Sequence, residues 1–251
     1  MRTFVFTCLL LLGMTTFAQD ANFHIYLCLG QSNMEGNAKV EEQDTVAVDS
    51  RFQVLAAVDC PNLGRTKGNW YKAVPPLARC YTGLTPGDYF GRAMVANLPS
   101  NVRVGIINVA VGGCRIELFD KDNYQFYVET SPDWLKNMVK EYGGNPYARL
   151  VEMAKLAQKD GVIKGILLHQ GESNTNDKDW PLKVKGVYDN LLNDLGLSAA
   201  NVPLLAGEVV HADQNGVCAS MNTIIDSLPQ VIPTAHVISS AGCPAAFDNL
   251  H

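Results

Sequence analysis

From Thr85 to Ser239 the chain alternates short apolar runs with amphipathic stretches of helical period, and this alternation restricts the fold more than any other feature. Thr85-Pro86 reads as a cap followed by proline at the first helical position, after which Phe90, Met94 and Leu98 recur on one face. An apolar strand, Val102 to Val109, follows, and then Tyr147, Leu150, Val151, Ala154 and Ala157 trace a helix stopped at Gly161. Ile163 to Leu168 is the next strand, Trp180 to Leu195 a helix, Val202 to Ala206 a strand, Met221 to Leu228 a helix, and Ala235 to Ser239 a last strand. Phe23 to Gly30 adds a strand near the start. Five short buried strands separated by helices call for a five-stranded parallel sheet with right-handed crossovers, hence a three-layer α/β/α domain.

Gly36 to Gly83 does not follow this rhythm. It carries strand-like pieces, Phe52 to Val58 and Trp70 to Val74, broken by Pro61, Gly64, Gly68, Pro75 and Pro76. The expectation is an ordered, loop-rich excursion from the core that shapes a binding site. There are no internal repeats or low-complexity linkers, and 251 residues, about half of them apolar, suit one sizeable domain.

Residues 1–18 read as a cleavable export signal: Arg2, an apolar stretch from Phe4 to Met14 too short to span a bilayer, and Thr16-Phe17-Ala18 before Gln19. The mature chain, 19–251, is therefore expected in the periplasm or medium, with no membrane attachment after cleavage. The net charge of −5 comes from scattered acidic residues with no basic block, which argues against a nucleic-acid partner. An oxidising compartment permits disulfides, and Cys60 with Cys80 and Cys218 with Cys243 are the plausible pairs because all four lie in loop-rich sequence. Cys28 lies mid-strand and reads as a small buried apolar residue. No Cys-x-x-Cys or paired histidine spacing suggests a metal, and no cofactor is expected.

In an open parallel sheet, ligands bind beyond the carboxyl ends of the strands. The distinctive polar residues fall at those ends: Ser32 after the first strand, Gly112 and Gly113 after the second, Gln170 and Glu172 after the third, Glu208 and His211 after the fourth, Asp248 and His251 after the fifth. A serine nucleophile needs a base, an acid to hold the imidazole tautomer, and N–H donors for the oxyanion. Ser32 fits the nucleophile, His251 the base and Asp248 the acid, with Ser32, Gly113 and the Gln170 amide as oxyanion donors. The competing reading of Ser32 is a plain helix cap. Gln31 and Asn33 are candidates for substrate contact or for satisfying the turn. Glu172 fits a structural carboxylate, with a reserve role as the acid behind His251, and Arg115 either binds substrate or pairs with Glu117 or Glu172. His169, His24, His211 and His236 read as ordinary packing, loop and strand-start residues, and Trp70, Tyr71 and Tyr81 as loop aromatics able to stack on a sugar or to form a small core.

The blocks Gly30-Gln31-Ser32-Asn33-Met34, Gly112-Gly113, His169-Gln170-Gly171-Glu172-Ser173-Asn174 and Asp248-Asn249-Leu250-His251, in that order, resemble the carbohydrate esterases of the sialate O-acetylesterase and acetylxylan esterase group (family 6) in the SGNH hydrolase superfamily. The resemblance covers essentially the whole mature chain. It implies a flavodoxin-like fold, metal-free removal of acetyl groups from sugar hydroxyls, and the roles of Ser32, His251 and Asp248 above. The Gln170 position resembles that of the superfamily's oxyanion-binding asparagine. Acetylated xylan is placed ahead of acetylated sialic acid as substrate. The rivals are an SGNH lipase or thioesterase and a carbohydrate-binding protein on the same fold without catalysis. The family's chain normally runs on past the histidine into a helix that closes the sheet, whereas His251 is last here, so a truncated chain with a terminal carboxylate beside the imidazole is expected.

Overall fold

A computed structural model describes residues 19–246 and 248–251, so the expected export signal lies outside the described residues. Strand β1 (Asp20–Gly30) is central to a seven-stranded sheet with β2 (Phe52–Leu55), β3 (Trp70–Lys72), β4 (Arg103–Ala110), β5 (Gly161–His169), β6 (Leu204–Gly207) and β7 (Ala235–Ile238). The order is β3-β2-β4-β1-β5-β6-β7, and every pairing is parallel except β2 with β3.

The expectation of five strands is thus corrected to seven, because the excursion from Gly36 to Gly83 contributes β2 and β3 to the main sheet. Its apolar residues explain this: Phe52, Val54 and Leu55 are buried, and Phe52 pairs in register with Val104. Trp70 closes the edge by packing on Phe23, with ring centroids 4.7 Å apart. Gly105 on β4 makes room for both rings, since a Cβ there would come within 2.9 Å of each. The cis peptide Pro75-Pro76 follows β3, and the Cys60–Cys80 disulfide joins the loops before and after that strand.

Alternation along β1 feeds two cores. Phe23, Ile25, Leu27 and Leu29 face the helices Pro146–Ala157 and Trp180–Leu195, through Leu150, Met153, Val184 and Leu191. Tyr26 and Cys28 face the other layer with Phe52, Val104 and Ile106, under the helix Pro86–Asn97. Each fully buried Leu, Ile or Phe stabilises the fold by about 1.5–3 kcal/mol relative to exposure. Helix Pro86–Asn97 begins with Thr85 Oγ1 accepting the Gly87 N–H at 2.9 Å and Asp88 Oδ2 accepting the Thr85 N–H at 2.8 Å.

Two helices, Tyr124–Thr130 and Asp133–Glu141, carry no counterpart in the sequence-based reading. The helix expected over Met221 to Leu228 is instead two single turns, Asn222–Ile225 and Leu228–Val231, with Pro229 opening the second. Among the described residues no helix is long and apolar enough to cross a membrane.

Candidate active site

The register of β1 with its neighbours brings three loops to one level. Gly30 pairs with Ala110 on one side and His169 on the other, so the residues after each strand leave the sheet edge together. Gly30 permits this crowding: a Cβ there would lie 2.0 Å from the His169 carbonyl oxygen, and its φ of +151° disfavours other residues. The Gln31 N–H then donates to that same carbonyl at 3.0 Å.

Ser32 opens a single helical turn, Ser32–Glu35, which ends at Gly36 in the left-handed region. The cap position belongs to Gln31 and has no side-chain cap bond, so the hydroxyl of Ser32 is not used as a cap. Its Oγ lies 2.8 Å from His251 Nε2. Beneath the turn, the fully buried Asn108 of β4 donates to the Met34 carbonyl at 2.7 Å and fixes its height over the sheet.

His251 Nδ1 lies 2.5 Å from Asp248 Oδ2. The other carboxylate oxygen accepts the N–H groups of Leu250 at 3.0 Å and His251 at 3.1 Å, an Asx-type turn helped by the left-handed Asn249. With Asp248 so held, the imidazole carries its proton on Nδ1 and offers the Nε2 lone pair to Ser32. The hydrogen bond from His251, followed by those backbone N–H groups, holds the Asp248 carboxyl below the usual carboxylate range.

Ser32 and Gly113 line the same cleft. Ser32 is the first residue of its turn, so its N–H has no intrahelical acceptor. Gly113 sits in a turn at φ +68°, and among the described residues neither N–H meets an acceptor. Gly112 keeps this turn close: a Cβ on it would fall 2.8 Å from Glu35 Oε2 and 3.9 Å from Ser32 Cβ.

Gln170 departs from its expected place. Only 1 % exposed, its Nε2 donates among Asn174 Oδ1 at 2.8 Å, the Cys114 carbonyl at 3.2 Å and Gln31 Oε1 at 3.2 Å, while its Oε1 accepts the Trp180 indole N–H. The amide protons are therefore engaged behind the site, and the oxyanion role read for Gln170 is replaced by one of positioning Gln31. Gln31 Oε1 also accepts the N–H groups of Gly171 at 3.4 Å and Ser173 at 3.3 Å, which stitches the first and third blocks together.

Asn33 also acts between loops. Its Nδ2 donates to Glu172 Oε1 at 3.0 Å and to the Leu250 carbonyl at 3.2 Å. Glu172 is buried, with Oε2 free of any hydrogen-bond partner among the described residues, and it does not touch Asp248 or His251 by hydrogen bond. His169 Nε2 meets the Glu208 carbonyl at 3.0 Å, and the Glu208 carboxylate accepts from Ser239 and Ser240, so both are structural. Arg115 pairs with Glu117 at 3.5 Å and with Asp177 at 3.6 Å. Trp70 belongs to the sheet core, Tyr71 accepts the Thr66 N–H at its hydroxyl, and Tyr81 is exposed.

Ser32, Gly112, Gly113, Glu172 and His251 line an open cleft of about 550 Å³ whose walls include Met138, Val217 and Cys218. Cys218 is not bonded to Cys243, which corrects the expected second disulfide; its thiol lies 3.7 Å from the Glu172 carbonyl, while Cys243 is exposed. The Cys60–Cys80 pair does form. Next to it Arg79 bridges Glu35, at 2.5 Å, and Glu141, so the excursion is clamped to the Ser32–Glu35 turn. Arg79 and Met138 carry no local signal in the sequence, and for Asn108 the signal is a polar residue inside an apolar strand. Among the described residues no cluster of three or more His, Cys, Asp or Glu could hold a metal.

The profile of the family described as carbohydrate esterase, sialic acid-specific acetylesterase, matches residues 22–251. Among solved structures, a protein from Arabidopsis thaliana is similar at TM-score 0.67 and 20% identity, over 91% of this chain and 90% of that one. NanS is similar at TM-score 0.62 and 15% identity, over 91% of this chain and 81% of its own. A carbohydrate acetylesterase from Xanthomonas citri is similar at TM-score 0.59 and 17% identity, over 88% of this chain and 51% of its own, so this chain spans about half of that protein. At these identities the structural likeness concerns the fold.

Proposed function

Because this chain belongs to the sialic acid-specific acetylesterase family of carbohydrate esterases, and so among the carboxylic ester hydrolases, we propose that it removes acetyl groups from a neutral polysaccharide, acetylated xylan first, by a Ser32–His251–Asp248 triad. The observation that carries this reading is the continuous bond path from Ser32 Oγ through His251, 2.8 Å and then 2.5 Å, to Asp248. His251 Nε2 takes the hydroxyl proton as Oγ attacks the acetyl carbonyl, and Asp248 stabilises the imidazolium. The N–H groups of Ser32 and Gly113 receive the oxyanion. His251 then protonates the departing sugar oxygen, and in the second half it takes a proton from water, which attacks the acetyl-serine and releases acetate.

The charge of the cleft supports a neutral sugar over a sialate. Its lining includes the buried Glu172 and, among the described residues, no Lys or Arg, while Glu35 in the same lining is paired with Arg79. The nearby guanidinium of Arg115 sits between two carboxylates. A sialic acid brings a carboxylate of its own into this field, whereas acetylated xylose brings none. The reading of residues 1–18 as an export signal fits the same function, since the substrate is extracellular, and the Cys60–Cys80 disulfide suits an oxidising compartment.

Acetate release from acetylxylan and from O-acetylated sialic acid, measured side by side with wild type and Ser32→Ala, tests the proposal. Release from xylan that vanishes in the variant is expected. Faster release from the sialate would overturn the substrate, and turnover retained by Ser32→Ala would remove the triad. Sugar binding with no acetate release from either ester would favour a non-catalytic binding protein.

A further inference from the structure

Trp134 is the second residue of the helix Asp133–Glu141, and it is 53% exposed although its ring lies against Gly113, which lines the cleft. A Cβ built on Gly113 would come within 2.7 Å of the indole six-membered ring, so the ring occupies the space that a side chain at 113 would need. Met138, one helical turn later on the same face, lines the catalytic cleft. The helix is positioned from below by Leu135 and Val139, both buried, so the indole is presented by a fixed element. The other two tryptophans have assigned partners: Trp180 is fully buried and bonded to Gln170, and Trp70 packs on Phe23 and donates to Asp160.

A half-exposed indole beside the oxyanion donor has no structural task that accounts for its exposure. Pyranose rings present one face of C–H groups, and an indole face against them shields apolar surface while leaving the hydroxyls in water. We propose that Trp134 is a stacking platform for the sugar ring that carries the acetyl group, a specificity residue that touches the substrate and takes no part in proton transfer. This rests on the esterase reading above. The platform holds the ring so that its acetyl group reaches Ser32, and its contribution is made to sugar esters alone.

Trp134→Ala, Trp134→Phe and wild type, each assayed on an acetylated xylo-oligosaccharide and on ethyl acetate, test the inference. In the alanine variant KM for the sugar ester is expected to rise about tenfold, the size of one lost aromatic contact, with ethyl acetate turnover kept within about twofold. Phenylalanine restores most of the sugar affinity. Equal losses on both esters in the alanine variant mean that the indole merely props Gly113, and they overturn the platform. Unchanged KM for the sugar ester overturns it as well. A wild type inactive on both esters overturns instead the esterase reading on which it stands. As a readout independent of turnover, xylo-oligosaccharide added to Ser32→Ala blue-shifts the tryptophan emission, and the shift disappears when Trp134→Phe is added; persistence of the shift in that double variant counts against Trp134.

Discussion

Asn33 Nδ2 donates to the main-chain carbonyl of Leu250 at 3.2 Å, across 217 positions of sequence. The same nitrogen reaches Glu172 Oε1 at 3.0 Å, so one amide ties the Ser32 turn to the His251 loop and to the buried Glu172 carboxylate. Removing it leaves Ser32 and His251 chemically intact and loosens their alignment. In Asn33→Ala, kcat on p-nitrophenyl acetate is expected to fall about ten- to a hundredfold with KM little changed, as small misplacements of reacting groups do. An unchanged kcat would show that Asp248 and its turn suffice to place the imidazole.

Asp248→Asn keeps the shape of the turn and reverses its polarity. An amide facing His251 Nδ1 can donate, which leaves the ring proton on Nε2 and deprives Ser32 of its acceptor. The expected fall in kcat is about a thousandfold or more, by analogy with other serine triads. A loss below about tenfold would remove Asp248 from the triad and return attention to Glu172.

Asp88 offers a test in stability. Fully buried at the start of helix Pro86–Asn97, its carboxyl is pushed up to about 6 by burial, against an ordinary 3.8, and Oδ1 lacks a partner. The folded state therefore holds this proton more tightly than the unfolded state, so the contribution is stabilising below the unfolded value and declines as pH rises through about 6. Asp88→Asn still accepts from Thr85 N–H and does not titrate. Its melting temperature, followed across this pH window, should lose less than the wild type's; parallel curves would mean that Asp88 titrates normally.

The Cys60–Cys80 bond closes a loop of sequence separation 20 and adjoins Arg79, which holds Glu35. Cys60→Ser with Cys80→Ser should lower unfolding free energy by about 2–4 kcal/mol. Esterase activity should also fall, because Glu35 stands against Gly112, next to the proposed oxyanion donor Gly113. Equal denaturant midpoints with and without the bond would count against the first claim, and full activity in the double variant against the second.

Much of this site was legible because its parts are local. The strand, glycine and serine of Phe23 to Gly36 specify their own turn, and the three-residue spacing of Asp248 and His251 suits one carboxylate serving both backbone and imidazole. The excursion was harder to place. Phe52 to Leu55 is too short to distinguish a loop strand from a core strand, and only its pairing with β4 and the gap at Gly91 for the Phe52 ring decide it.

The sequence by itself determined the alternation that builds a parallel sheet, the serine at the end of its central strand and the order of the polar blocks, because each follows from spacing within a few residues. Tertiary structure alone decided which polar groups line the cleft. Gln170 stands beside the serine's loop yet turns toward Trp180 and Asn174, since a buried amide must satisfy its donors and acceptor where partners lie. Trp134 and Asn33 gain their positions from residues far away in sequence, Gly113 for one and Leu250 for the other. Hydrogen bonds and packing of that range depend on the folded sheet that brings strand ends to one level, and no local pattern encodes them.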